Sequence, residues 1–443
     1  MARLHRTVGM TAAVVLTAAG TACTGSTSGG AEDDPTEEVT IKFWHGWSAP
    51  SEVAAINATI EDFEAEYPNI HVEAVGNITD DKINQALRAG GDNAPDVVSS
   101  FTTDNVGQFC SSHVFVDLAP FFEESGIDPE ETFPETLLDY TQFDGVQCSL
   151  PLLSDAYGLY YNKDAFAEAG IESPPKTLSE FEADAIKLTK SDGDTYSQLG
   201  FMPNYHGYET TITHYASLWG PTYFDEDGNS NAANDPAIAS AYEWQKHMVD
   251  SLGGYDKLEK YRATFGDEWG SKHPFMTGQV AMQLDGEWRA GMIDDAGVDF
   301  DYGVAPFPVP DDQADTYGKG YLSGTIVGIA STSEKQNAAW EFVKYLTTDT
   351  DAVVNFANAI HNVPSTMDAL ESPDLDVTPA SQVFIEIAQN DNSNTTPASP
   401  NGGAYQLTLQ DVGYGYESGE ITDLHAALED ADEQIDADID QAQ

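Results

Sequence analysis

Asp155 stands alone in an apolar run, LPLLSDAYGLYYNKDAF from Leu150 to Phe166, and a carboxylate there needs partners. Burying it costs several kcal/mol unless hydrogen-bond donors meet it. Asp155 is therefore either a turn-capping residue held by backbone amides, or it faces a cleft whose ligand supplies hydroxyls. Aromatic side chains offer the complementary surface: Trp47 and Phe101 stand in the first part of the chain with Asp104 close by, and Trp288 and Tyr405 stand in the second. Rings pack on flat C–H faces and carboxylates accept hydroxyl hydrogens in a largely dry cleft, so the set suits a neutral, polyhydroxylated ligand. His45 and Tyr205 are further candidate contacts. Trp47 and Tyr205 read equally well as core residues.

No catalytic constellation emerges. In a chain with 75 acidic residues, carboxylates close in sequence carry no information. GxSxG, HExxH, a phosphate loop and CxxC are all absent. Cys110 and Cys148 lack the basic surroundings that activate a thiol, and the 10 histidines show no metal-ligand spacing. The segment 224–229, FDEDGN, has no glycine at the sixth position of a calcium loop and Pro236 in place of the bidentate glutamate, so it reads as a hairpin turn. The expectation is a protein that is not an enzyme and needs no cofactor or metal.

The formal net charge is -57, with only 18 lysines and arginines. That balance excludes nucleic acid as a partner and argues against an anionic ligand. The acid excess is spread along the chain, which suits a surface solvated in a salty medium. A single uninterrupted apolar run, Val8 to Ala22, follows Arg3, His5 and Arg6. It is short for a bilayer span and reads as a signal peptide over residues 1–23. Gly20-Thr21-Ala22-Cys23 resembles a lipoprotein processing site, with Gly20 departing from the usual Leu or Val, which implies lipidation of Cys23. Residues 24–38, TGSTSGGAEDDPTEE, are then a flexible tether, and the protein is exported and lipid-anchored at the outer face of the cell membrane. With Cys23 acylated, Cys110 and Cys148 remain as an even pair in an exported protein, which predicts a disulfide; two unrelated buried thiols are the alternative.

At 443 residues the chain suits two domains, each with its own core. Val39, Ile41 and Phe43 alternate as a strand that ends in WHGWS. A helix follows, with Val53, Ile56, Ile60, Phe63 and Tyr67 on one stripe. A strand over 71–75, a helix over 80–89 and a strand starting at 95–98 continue the alternation, which specifies a parallel sheet. Ligands in such sheets sit beyond the carboxyl ends of the strands, which selects residues 45–47 and 101–105. Farther on, Thr177 to Glu180 forms a capping box for a helix with Phe181, Ala185 and Leu188 inward. Residues 279–284 are a strand, and Asp285 to Trp288 is a turn presenting its aromatic ring. The tail from Ile421 carries Leu424, Leu428, Ala431 and Ile435 at helical spacing.

The segment YYNKDAFAEAGIESPPKTLSEF, with IKFWHGW, APDVV, GQVAMQLDGEW, YGVAPFP and AAWEFVKYL in order, resembles extracellular solute-binding proteins of ABC importers, family 1, a mostly sugar-binding group. The likeness covers most of the chain after the leader. It implies an α/β fold of the type II periplasmic-binding-protein kind, with two lobes, each a mixed or mostly parallel sheet flanked by helices, joined by hinge crossovers. Lobe I would hold 39–152 plus 326–360, and lobe II 153–325 plus 361–443. By resemblance, Asp155, Asp104 and Trp288 occupy places that commonly touch sugar. The expected ligand is a carbohydrate, an oligosaccharide, held by lobe closure and passed to ABC transporter permease subunits by a monomeric protein. Two alternatives stand beside it. One is an exported polysaccharide-active lyase or hydrolase; the other is the same fold binding a phosphorylated polyol, which would need Lys or Arg in the cleft.

Overall fold

The structure is a computed structural model that describes residues 38–91 and 94–442. The expected signal peptide, Cys23 and the tether up to residue 37 lie outside the described residues. Strand β1 (Val39–Trp44) turns Ile41 and Phe43 fully inward, as its alternation predicts. The helix Pro50–Glu66 lays Ile56, Ile60 and Phe63 on that face. Strand β2 (Ile70–Val75), the helix Asp80–Ala89 and β3 (Val97–Ser100) complete two crossovers, and β1 lies parallel between β2 and β3.

A hairpin of β4 (Gln142–Phe143) and β5 (Val146–Gln147) precedes β6 (Leu150–Asn162), the strand that carries Asp155. With 13 residues, β6 is about 43 Å long and serves two halves of one mixed sheet. Strands β7 (Lys190–Asp192), β8 (Thr195–Phe201), β9 (Val280–Gly286), β10 (Tyr302–Ala305) and β11 (Leu322–Ile329) supply the rest, in the order β2-β1-β3-β11-β6-β9-β8-β7 with β10 also on β6. The first part of β6 pairs antiparallel with β11, from Leu150 to Ala156, and its later part pairs with β9 and β10, from Tyr157 to Asn162. A third pass of the chain meets β6 midway, where the Ser154 N–H donates to the Val363 carbonyl at 3.0 Å. Asp155 thus sits where both halves of the sheet converge.

Each half has its own apolar core. Phe43, Phe63 and Phe342 pack edge to face in the first. Phe181, Phe201 and Tyr215 anchor the second, over which the helix Leu424–Ala442 lays Leu428, Ala431, Ile435 and Ile439. Each fully buried large apolar side chain contributes about 1.5–3 kcal/mol, so either half can hold its own shape. Cys110 and Cys148 are joined, as cysteine arithmetic predicts. Closing that loop contributes about 3–4 kcal/mol in a chain-entropy view. One local expectation is corrected: of the turn expected over Asp285 to Trp288, only Glu287 is a turn residue. Strand β9 continues through Gly286, and Trp288 opens the helix Trp288–Ala296, because Glu287 already has helical backbone angles. Among the described residues no helix is long and apolar enough to cross a membrane.

Candidate functional site

A cavity of about 390 Å³ opens beyond the end of β3, between the two halves of the sheet. The first half supplies Thr102, Thr103 and Asp104, and the second supplies His206, Tyr208, Thr213, His214 and Gln406; Tyr321 and Ser323 also line it. Among the described residues, no lysine or arginine lines it. Asp104 accepts from Gln406 Nε2 at 2.5 Å, and Gln406 Oε1 in turn accepts from Thr213 Oγ1 at 3.1 Å. One amide therefore ties a carboxylate of the first half to a hydroxyl of the second. Gly403 makes this possible, since its φ is +76° and a Cβ there would come within 2.6 Å of the Asp104 side chain.

Burial pushes the Asp104 carboxyl up to about 6, with the Gln406 hydrogen bond working against the shift. Burial also lowers His214 to about 4, so the ring is neutral between Tyr157 and Tyr321, at 4.9 and 4.2 Å. Tyr208, Trp269 and Trp288 form an aromatic wall on the second half, each ring centre 6.1–6.3 Å from the other two. Tyr208 and Trp269 are about half exposed, whereas Trp288 stands edge-on to Tyr157 at 5.6 Å. Arg289 carries the wall from beneath, with its guanidinium 5.7 Å from the Trp269 ring and Nη1 donating to the Glu268 carbonyl. These groups can accept and donate to hydroxyls and can stack on an apolar face. The set has no activated nucleophile and no cluster that could hold a metal among the described residues.

Asp104 lines the cavity, and Phe101 beside it is 43% exposed. Asp155 accepts from Asn362 Nδ2 at 3.3 Å and does not itself line the cavity. The other nominated residues sit deeper. Trp47 is 2% exposed, with Phe101 on one side and Phe356 on another, and Gly46 lets the Phe101 ring lie close against the backbone. His45 is 2% exposed beside Trp47, and burial lowers it to about 4. Tyr205 packs on Phe265 and His273 behind the wall. Tyr405 is 1% exposed, with its hydroxyl on the Pro397 carbonyl and its ring against Phe224. In this conformation none of those four rings opens to the cavity. Sequence reasoning passed over Tyr208, His214, Tyr321 and Gln406. The last follows Tyr405 directly on a helix, so a one-residue rotation separates the core side chain from the cavity side chain.

Two carboxyl pairs flank the end of β9. Glu287 is 4% exposed, accepts from the Ala156 N–H at 3.0 Å and lies in hydrogen-bonding contact with Asp155. Glu209 stands against Asp285, and Arg289 Nε donates to Asp285 at 2.6 Å. Burial raises all four carboxyls.

A profile for bacterial extracellular solute-binding proteins matches residues 48–353. The chain is 23% identical over 367 residues to a maltotriose-binding protein of Pyrococcus abyssi, covering 82% of this chain and 74% of that one. Among solved structures, mannotriose-bound CpMnBP1 matches with a TM-score of 0.75 at 23% identity, over 89% of this chain and 99% of the other. The cyclic alpha-maltosyl-1,6-maltose binding protein of Arthrobacter globiformis matches with 0.73 at 21%, over 91% and 99%. These likenesses establish the fold as α/β, of the type II periplasmic-binding kind. With the profile spanning well over half of its length, the chain belongs to the bacterial extracellular solute-binding proteins, a family of exported binding components of ABC transporters rather than enzymes.

Proposed function

We propose that the protein captures a neutral carbohydrate, an oligosaccharide, in the cavity between its two lobes and delivers it to the permease of an ABC importer. The single observation that carries this reading is the cavity lining, which among the described residues holds hydroxyls, amides, two imidazoles and one carboxylate, with aromatic rings at its edge and no lysine or arginine. Such a surface matches equatorial hydroxyls and flat C–H faces and offers nothing to a phosphate. Asp104, Gln406 and Asp155 are assigned to hydroxyls, and Tyr208, Trp288 and Phe101 to ring faces. The lobes are taken as 39–152 plus 326–360 and 153–325 plus 361–443, with hinges where β6, β11 and residue 363 meet. Ligand held by one lobe recruits the other, because the closed form gains contacts that the open form lacks. Cys23 is assigned as the lipid anchor and the protein as a monomer. Relatives that bind maltotriose and mannotriose support the sugar assignment.

Isothermal titration and thermal shift with mannotriose, maltotriose, their monosaccharides and glycerol 3-phosphate test the reading, with chromatography of each sugar afterwards. Saturable binding of a trisaccharide recovered intact is the expected result. Cleaved sugar would replace it with the enzyme reading, and preference for glycerol 3-phosphate with the polyol phosphate reading. Mass spectrometry of the N-terminal peptide from membranes tests the anchor.

A further inference from the structure

Glu287 lies against Asp155 beside the Ala156 N–H, and among the described residues neither forms an ion pair. Glu287 Oε2 accepts from the Ala156 N–H, while its Oε1 is buried and meets no donor from any other group. Asp155 accepts only from Asn362 among side-chain amides, at 3.3 Å, and its remaining hydrogen-bond contact is Glu287. Two ionised carboxylates are acceptors only, so a hydrogen bond between them requires a proton on one. Glu287, the more enclosed of the two, is the better seat for that proton, since burial disfavours its charged form most.

The pair sits at a mechanically sensitive place. Asp155 is on β6 next to Ser154, whose backbone engages Val363, and Asn362 precedes Val363 on the third chain pass. Ser323 on β11 lies directly opposite Asp155 in the sheet register. All three connections between the halves therefore meet around one carboxyl, while Glu287 ties it to the end of β9 and to Trp288 in the aromatic wall.

We propose that Glu287 is a positioning residue, a neutral acid whose proton is shared with Asp155 and holds the three crossovers together, so that solute binding is linked to proton uptake. Removing the proton leaves two like charges in contact inside a poorly solvated junction. Asp155 then swings away from Glu287, and the arrangement that favours closure is lost. This deepens the solute-binding reading and rests on it for its effect on affinity; the shared proton itself does not.

The ionisable groups around the pair are mostly tyrosines. Tyr140, just past the helix Glu135–Asp139, and Tyr157 and Tyr160, on β6, lie near it, as does Tyr208 from the wall, and loss of hydration at the hydroxyl raises the pKa of all four. Beyond Tyr160 lies the second pair, Glu209 and Asp285, which Arg289 contacts directly. On the cavity side Asp104 also titrates, and His214 stays neutral. Asp104 and Glu209 contribute their own pH dependence, which a change at Glu287 leaves in place.

The test compares wild type with Glu287→Gln, which keeps the donor and removes the titration, and with Asp155→Asn, which removes the partner charge. First, without sugar, infrared difference spectra are recorded across a pH series. Beside the bands of Asp104 and of the Glu209–Asp285 pair, which both proteins share, the wild type should show a further protonated carboxyl band that titrates and is missing from Glu287→Gln. Protonated carboxyl bands that titrate identically in wild type and Glu287→Gln overturn the proposal. Second, mannotriose affinity is followed with pH. Wild-type affinity should fall as pH rises, by up to about tenfold per pH unit, with a visibly shallower slope in Glu287→Gln. Parallel slopes in the two proteins overturn the linkage. If mannotriose and maltotriose fail to bind at any pH, the solute reading fails on its own, and the infrared arm still decides the shared proton. Should Asp155→Asn fail to fold, the glutamine variant carries both arms.

Discussion

Two carboxyl pairs lie within a few residues of each other at the end of β9, and the protein treats them differently. Glu209 and Asp285 are fully enclosed and lie against Arg289, itself 0% exposed. Among the described residues Asp155 and Glu287 form no ion pair, and neither lines the cavity. Both pairs need a proton to be buried side by side, but only the first has an ion pair to hold Asp285 charged. The first is a pillar under the aromatic wall. The second has only hydrogen bonds to keep it in place, so its stability follows the proton.

The largest effect that would sharpen this contrast is at the pillar. Arg289→Met should lower unfolding free energy by about 3–5 kcal/mol in urea titrations, because it strands a buried Asp285 beside Glu209. A loss under 1 kcal/mol would mean that the pair is protonated throughout and the arginine is dispensable. Next come the rings that the pillar supports. Tyr208→Ala and Trp288→Ala should each weaken sugar binding by about 1–3 kcal/mol by calorimetry with the fold intact. Equal affinity would remove that ring from the site.

A third carboxyl, Asp104, calibrates the pH scale. Its folded-state pKa is raised to about 6, so the folded protein holds a proton that the unfolded chain has released. Stability from this group is therefore full below about pH 4 and is lost as pH rises through 6. Asp104→Asn should remove about 1–2 kcal/mol of that decline, read as melting temperature against pH without ligand. The smallest effect is salt on the pairs themselves. Both are shielded from counterions, so the difference between wild type and Glu287→Gln should hold steady from about 0.1 to about 2 M NaCl. Total stability should nevertheless climb over that range, as the charge of -57 is screened; a flat curve would remove the salty-habitat reading.

Much of the frame was legible. The alternation in Val39–Trp44 and the stripe of Ile56, Ile60 and Phe63 specified β1 and its helix, and the rule of strand ends selected the stretch that holds Asp104 and Phe101. The site was harder to read. Trp47 lies under Phe101 rather than beside it, and Tyr405 faces the core while Gln406 faces the cavity. A ring that stacks on a ligand and a ring that fills a core are chemically the same residue, and periodicity sees only that the face is apolar.

From its residues alone, this chain determined its charge, its strand and helix order, its disulfide and its family, because those depend on composition and on neighbours within a turn or a strand. Tertiary structure decided which side chains converge: Asp104 with Gln406, Tyr208 with Trp288, and Asp155 with Glu287. Each of those meetings joins segments far apart in sequence, and whether a carboxyl keeps its charge depends on what the folded chain sets against it.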